Sequence, residues 1–472
     1  MYKQTRLLVI VAIIVALLGI AAALLMLNPV TEEENGTVFK DFAPVDVKEV
    51  RLDNAYGTFD IAFTGEGYMV DDIPAELVDM KEFFDLLTYS GSVSALSTVV
   101  SAPDELGIYG LAEPAATVEV TYADKSKLTL LIGDAERVTG NYYCSVAGDP
   151  AVYLMESVRC AGFLLPKKAY VEDLVTPVLA LSSPLSALLD VTFTGGPLTE
   201  PITVKAVAGK EPEVTLAALS FGAATHIVQG HGVYELDQTY ALEVMGGLLG
   251  IPSYDIVGYN LTPPEIMAFG FDRPTMQVEF DLKNGIDADV VHYRLALLQK
   301  GDAFYMTCNE NGVIYAVSEP PFLHIKYSKL LVRWFLSPLM LDVSELRLET
   351  EGKTYHFIIT GESNADKQVT CNGEALDIER FRALYKLLTS AAHDGTLLED
   401  AQVNGEPLLT LTYTYLNKQK QPDVLKLYPG DARRLYVNIN GVTEVAMREM
   451  FLTRVQQALR IFSTEEPITT DW

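Results

Sequence analysis

Apolar and polar residues alternate along Val47-Lys48-Glu49-Val50-Arg51-Leu52, the period-two pattern of a strand with one buried face. The same pattern recurs at Val343-Ser344-Glu345-Leu346-Arg347-Leu348, with Asp190-Val191-Thr192-Phe193 as a middle counterpart. A second strand, Thr58 to Thr64 or Thr354 to Thr360, is expected to pair with it. The period then changes. Leu77, Met80, Phe83, Phe84 and Leu87, and again Ile378, Phe381, Leu384, Tyr385 and Leu388, recur at mostly three- and four-residue steps. Such spacing places them on one stripe of a helix, which a sheet must cover.

Four short alternating segments follow: Thr117 to Tyr122, Lys127 to Ile132, Tyr142 to Val146 and Ala151 to Met155. Turns such as Ala123-Asp124-Lys125-Ser126 and Ala147-Gly148-Asp149-Pro150 separate them, which predicts an antiparallel meander. Its last hairpin recurs as Phe304-Tyr305-Met306 with Val313-Ile314-Tyr315, and as Leu435-Tyr436-Val437 with Thr443-Glu444-Val445. A closing helix is expected at Met447 to Phe462 and at Phe322 to Leu336. In the latter, Lys326, Lys329 and Arg333 would share one face while Leu330, Leu331, Trp334 and Phe335 face elsewhere, and Lys326, Lys329, Arg333 and Trp334 are the candidate docking residues. That basic face is a candidate dock for anionic headgroups or an acidic partner; a merely solvated face is the competing reading.

These similarities belong to a larger repeat. Tyr109-Gly110-Leu111-Ala112-Glu113-Pro114 before Thr117-Val118-Glu119-Val120 reappears as Phe269-Gly270-Phe271-Asp272-Arg273-Pro274 before Gln277-Val278-Glu279-Phe280. A degenerate third copy lies at Glu406-Pro407 with Thr410-Leu411-Thr412-Tyr413. The offset from Pro114 to Pro407 equals that from Tyr143 to Tyr436, and the offset from Val70 to Cys371 equals that from Phe84 to Tyr385. Preserved register over such distances marks a copied unit with a period of roughly 150 residues.

Each copy opens on a small residue, a proline and an aliphatic residue: Ala43-Pro44-Val45, Ser183-Pro184-Leu185 and Ser337-Pro338-Leu339. Proline lacks a backbone donor and biases its predecessor to extended geometry, so boundaries are expected there. The resulting division is residues 1–29 as a cytoplasmic stub and anchor, 30–42 as a linker, α+β units at 43–182, 183–336 and 337–465, and a tail at 466–472. Each unit is expected to be a largely antiparallel sheet with packed helices.

Bulk properties narrow the function classes. Of 472 residues, 63 are acidic and 35 basic, a formal charge of −28. A surface that negative repels phosphate backbones, which argues against a nucleic-acid partner. Leu7 to Leu27 carries no charge, follows Lys3 and Arg6 and precedes Glu32-Glu33-Glu34. At about 1.5 Å of rise per residue this run is long enough to span roughly 30 Å of hydrocarbon. Its basic flank would keep the N-terminus cytoplasmic and the rest of the chain extracytoplasmic. A cleaved signal peptide ending near Ala21-Ala22-Ala23 is the alternative, but its apolar core would exceed the usual length of about 7–15 residues.

Candidate chemistry is sparse. Cys144, Cys160, Cys308 and Cys371 are too few for a disulfide scaffold in so long a chain and are not shared by the copies, so buried thiols are expected. His226 and His231 lie five apart, not the spacing of four that shares a helix face. Phosphate loops, dinucleotide turns and the Gly-x-Ser-x-Gly elbow are absent from the sequence. Asp287-Ala288-Asp289 and Asp71-Asp72 resemble fragments of calcium loops but lack the downstream glutamate. No cofactor or metal is called for. Tyr143, Tyr305 and Tyr436 recur with the repeat, which favours cross-strand packing over a ligand platform.

The segment Leu106-Gly107-Ile108-Tyr109-Gly110-Leu111-Ala112-Glu113-Pro114, then Leu131-Ile132-Gly133-Asp134, Asn141-Tyr142-Tyr143 and Val152-Tyr153-Leu154, resembles the bacterial domain of unknown function numbered 4340 over roughly residues 75–175. Members typically carry an N-terminal membrane helix and are often encoded near ABC transporter components of the gliding-motility type. The resemblance therefore implies an accessory role at an export complex and supplies no catalytic residues. The leading expectation is a single-pass, membrane-anchored extracytoplasmic binding or scaffolding protein, a partner of an ABC-type permease or accessory subunit. The alternatives are a cell-envelope hydrolase with an inter-domain site, for which Asp71, Asp72, His226 and His231 are first candidates, and a ligand-binding ectodomain for glycan or peptide.

Overall fold

The computed structural model describes residues 36–64, 67–179, 184–207, 225–230, 232–285, 287–398, 403 and 405–472. The run Leu7 to Leu27 lies outside the described residues, and among those described no helix is long and apolar enough to cross a membrane. Among the described residues every strand pair is antiparallel, and helices pack on the sheets, so the fold is mixed α/β built on antiparallel sheets. The chain divides into two compact units, one ending at Glu172 and one running from Asp173 to Trp472.

In the first unit, eight strands lie in the spatial order Gly67–Val70, Gly57–Thr64, Val47–Asn54, Ala116–Tyr122, Lys127–Ala135, Tyr142–Val146, Val152–Met155 and Ser97–Val100. The last four in chain order are the meander that alternation predicted. Ala116–Tyr122 buries every second residue, from Ala116 through Val118 and Val120 to Tyr122. A separate two-stranded ladder joins Thr37–Asp41 to Ser92–Ala95.

The helix Met80–Gly91 begins where Asp79 accepts hydrogen bonds from the backbone N–H groups of Lys81 and Glu82. An N-cap of this kind stabilises a helix by about 1 kcal/mol. It packs on the strand Val47–Asn54 through Phe83, Leu86 and Leu87, and burying each such side chain contributes roughly 1.5–3 kcal/mol. Phe84, expected on the buried stripe, is instead 39% exposed. The sheet covers a narrower stripe than the one the sequence outlined, and Leu86 takes the place assigned to Phe84.

The second unit contains two sheets. One has the order Val233–Glu235, His226–Gln229, Ile202–Ala206, Leu188–Gly195, Met276–Lys283, Val290–Lys300, Ala303–Cys308, Ile314–Val317 and Ser253–Gly258. The other runs Glu374–Leu376, Gln368–Cys371, Lys353–Thr360, Val343–Thr350, Leu409–Tyr415, Asp423–Pro429, Arg434–Ile439 and Val442–Arg448. Seven strands follow one order in all three large sheets, around a central pair that is distant in sequence, while the edges differ: Ser97–Val100 and Ser253–Gly258 extend the first two sheets only, and Val233–Glu235 and Glu374–Leu376 the last two only. Even an irregularity is shared: the register slips between Val47 and Glu49 where they face Tyr122 and Thr121, and between Val343 and Glu345 where they face Tyr415 and Thr414. Bulges of this kind bend and twist a strand locally.

Within the second unit, the helices Ile378–Leu388 and Met450–Arg460 pack against each other. The first buries Phe381, Leu384, Tyr385 and Leu388, as its spacing predicted, and Leu387 as well, while Ile378 is half-buried.

The segment Phe322 to Leu336 departs from expectation. It is a 3₁₀ turn at Pro321–His324, a single helical turn at Tyr327–Leu330, and then extended chain. The backbone N–H of Val332 donates to the Glu235 carbonyl, that of Phe335 to the Ala391 carbonyl, and that of His393 to the Arg333 carbonyl. These lateral bonds consume groups a helix would have paired internally, so the segment bridges the two sheets through Leu331 opposite Leu236 and Trp334 opposite Ala392.

Candidate functional site

The repeated Tyr-Gly-Leu motif folds as a 3₁₀ turn, Leu106–Tyr109, closed by Gly110 in the left-handed conformation at φ 70°. A Cβ on Gly110 would sit 2.6 Å from the backbone nitrogen and carboxyl carbon of Asp134. One on Gly133 would sit 2.2 Å from the Tyr109 carbonyl oxygen. The two halves of the motif, separate in sequence, are thus the two sides of one backbone contact that admits no side chain. Tyr109 then meets Tyr143 edge to face, with ring centroids 5.1 Å apart.

The second copy repeats the aromatic contact with different backbone geometry. A π-helical turn covers Met267–Phe271, Gly270 has φ 125°, and Phe269 meets Tyr305 edge to face at 5.0 Å. Lys300 places its ammonium 3.7 Å from the Phe269 ring centroid. In the third copy, Tyr436 lies against Gly430 and donates its hydroxyl to Asp431 Oδ2 at 3.0 Å. All three repeated tyrosines are engaged in local packing or bonding of their own sheet.

The proposed docking residues do not form one helical face. Lys326 precedes the single turn Tyr327–Leu330, and its backbone N–H donates to the Tyr240 hydroxyl at 3.0 Å. Lys329 lies with its ammonium 5.3 Å from the Tyr240 ring. Arg333 and Trp334 belong to the extended bridge and are exposed, Trp334 by 53%. The helical period that grouped them does not hold beyond Leu330.

The candidates for hydrolytic chemistry are occupied in other ways. In the first unit, Lys167 bridges Asp71 at 2.9 Å and Asp72 at 2.5 Å. Asp71 has φ 43°, the left-handed conformation that Asp tolerates in turns. In the second unit, His226 is buried, with Nε2 2.7 Å from the Leu188 carbonyl and Nδ1 3.0 Å from Thr225 Oγ1. A carbonyl accepts only, so the neutral ring carries its proton on Nε2 and Nδ1 accepts from the threonine hydroxyl. Burial depresses the His226 pKa below its ordinary value. His231 lies outside the described residues.

Cys144, Cys160 and Cys308 are buried and unpaired, and Cys371 is half-buried and unpaired. Desolvation pushes the thiols of Cys144 and Cys308 up to about 12. At such values they are not thiolate nucleophiles near neutral pH.

Sequence reasoning did not single out Glu444, which is buried where the two sheets of the second unit meet. It accepts the Gly232 backbone N–H at 3.2 Å. Burial, followed by the nearby Glu444 charge, raises the Tyr234 and Tyr327 phenols. The backbone comes close here as well, since a Cβ on Gly230 would lie 2.1 Å from the Tyr327 hydroxyl. Position 444 sits on an alternating strand, and only its placement opposite another sheet distinguishes it.

The interlocked Tyr-Gly-Leu and Ile-Gly-Asp segments lie inside a match to a family model, that of a domain of unknown function (DUF4340), at residues 77–173. This segment is a domain of that family. The DUF4340 match takes in the helix Met80–Gly91 and the whole meander, but not Val47–Asn54, which lies between Gly57–Thr64 and Ala116–Tyr122 in the same sheet. The physical unit built around the DUF4340 segment is therefore larger than the segment itself. No curated protein and no solved structure matches the chain.

Proposed function

We propose that this protein is a membrane-anchored, extracytoplasmic binding or scaffolding protein made of three related α+β units, with boundaries near Pro44, Pro184 and Pro338, and held by one helix at Leu7 to Leu27. The observation that carries the reading is the seven-strand order common to the three large sheets. Repetition of a unit multiplies surface rather than assembling one reactive centre. The uncharged run with its basic N-terminal flank supports the anchor and the orientation.

The partner suggested by the DUF4340 resemblance is a permease or accessory subunit of an ABC-type transporter. Co-purification of the full chain from its native membranes in mild detergent tests this. Recovery of transporter subunits in constant ratio is the expected result. A clean monomer under every expression condition would remove the transporter reading.

A further inference from the structure

A groove of about 380 Å³ opens in the second unit, where the hairpin Arg434–Ile439 and Val442–Arg448 meets the start of the helix Met450–Arg460. Arg433, Arg434 and Arg448 line it together with Asp394, Glu449 and Thr453. Arg434 and Arg448 are direct cross-strand partners, and like charges opposite each other on adjacent strands are unfavourable. Asp394 relieves part of this by an ion pair with Arg434. Arg433 and Arg448 are exposed and have no ion pair among the described residues. Three guanidiniums against two carboxylates is a local excess of positive charge in a chain of formal charge −28.

We propose that this groove is a binding site for a small phosphate-class anion. Guanidinium presents a planar fork of donors that matches phosphate or carboxylate oxygens in pairs. Arg434 and Arg448 stand side by side on adjacent strands and Arg433 on the preceding turn, so three guanidiniums border one groove. A tetrahedral oxyanion offers edges in several directions, whereas a carboxylate offers only one. The groove volume falls in the range of about 300–1,000 Å³ typical of small-molecule sites. The helix at its rim starts without a side-chain cap, so its first N–H groups add favourable dipoles without themselves defining the site.

Calorimetric titration of the full chain in neutral detergent at low salt, with inorganic phosphate as probe, tests the assignment. Saturable binding is expected, weakened about tenfold or more in Arg448→Ala and Arg433→Ala, because each removes a charge-assisted contact. Arg448→Lys keeps the charge and loses the fork, so it should bind with intermediate affinity, and it decides the matter if an alanine variant fails to fold. Arg347→Ala, on an exposed strand position paired with Glu349, should bind as the unchanged chain does. No saturable binding, equal affinity in Arg448→Ala, or succinate binding as tightly as phosphate would each overturn the proposal. Reconstitution into nanodiscs with phosphatidic acid separates the sources: loss of free-phosphate binding identifies a lipid headgroup, and retention identifies a soluble phosphate ester.

Discussion

Gly133 approaches the carbonyl oxygen of Tyr109 so closely that a Cβ on it would lie 2.2 Å away. The neighbouring pair, Gly110 and Asp134, is also too close for a side chain, at 2.6 Å. The two glycines belong to motif halves joined by the first turn of the meander, so their spacing in sequence reflects one contact between a 3₁₀ turn and a strand end.

Gly133→Ala and Gly110→Ala are therefore expected to destabilise the first unit by about 2–4 kcal/mol each, the range of an overpacked site with added backbone strain at Gly110. Gly148, with φ 90° and nothing near its Cβ position, provides the comparison. Gly148→Ala carries the conformational cost alone, about 1–2 kcal/mol. Chemical denaturation of the three variants reads the difference, and equal losses at all three positions would refute the contact.

The Tyr109 and Tyr143 rings should be energetically coupled, and so should those of Phe269 and Tyr305. A double-mutant cycle to leucine at each pair is expected to give about 0.5–1.5 kcal/mol of coupling, as edge-to-face aromatic pairs do. Similar values in the two copies would mark the tyrosines as architecture. Zero coupling in both would return them to consideration as a ligand surface.

Acid should weaken the second unit through His226 and His393. Burial lowers both pKa values, so as pH falls through about 6.5 the unfolded chain takes up protons that the folded chain refuses. Their contribution is intact above that pH and lost below it. Glu235 acts in the opposite sense, because burial raises its carboxyl to about 7 and the folded state gains protons first. Replacing His226 by Gln should reduce the loss of stability between pH 7 and 5, by at most about 1.4 kcal/mol per pH unit. An unchanged slope in pH-dependent unfolding would show that His226 is not protected from protonation.

Alkylation of the native protein at pH 8 should modify Cys371 first. It is the half-buried thiol, whereas Cys144, Cys160 and Cys308 are buried. Peptide mass spectrometry after timed iodoacetamide exposure gives the order, and early labelling of Cys144 would contradict the packing around it.

Much of the architecture was legible from local pattern. Alternation located the central strand pair and the meander, and three-to-four spacing located the helices at Met80–Gly91 and Ile378–Leu388, because these periods follow from backbone geometry within a few residues. The repeated sequence pattern coincides with a seven-strand order common to the three large sheets. The basic segment after Phe322 was misread because its apolar and basic residues suit a helix as well as a bridge. Lateral hydrogen bonds to Glu235, Ala391 and His393 selected the bridge.

The sequence by itself determined most of the strands and helices, since these depend on periodicity along the chain. Only the tertiary structure decided which groups from distant positions face one another. It set Gly133 against Tyr109, buried Glu444 between two sheets, and placed Arg434 opposite Arg448. Those relationships depend on register between elements, and a period-two pattern reads the same whatever strand stands beside it.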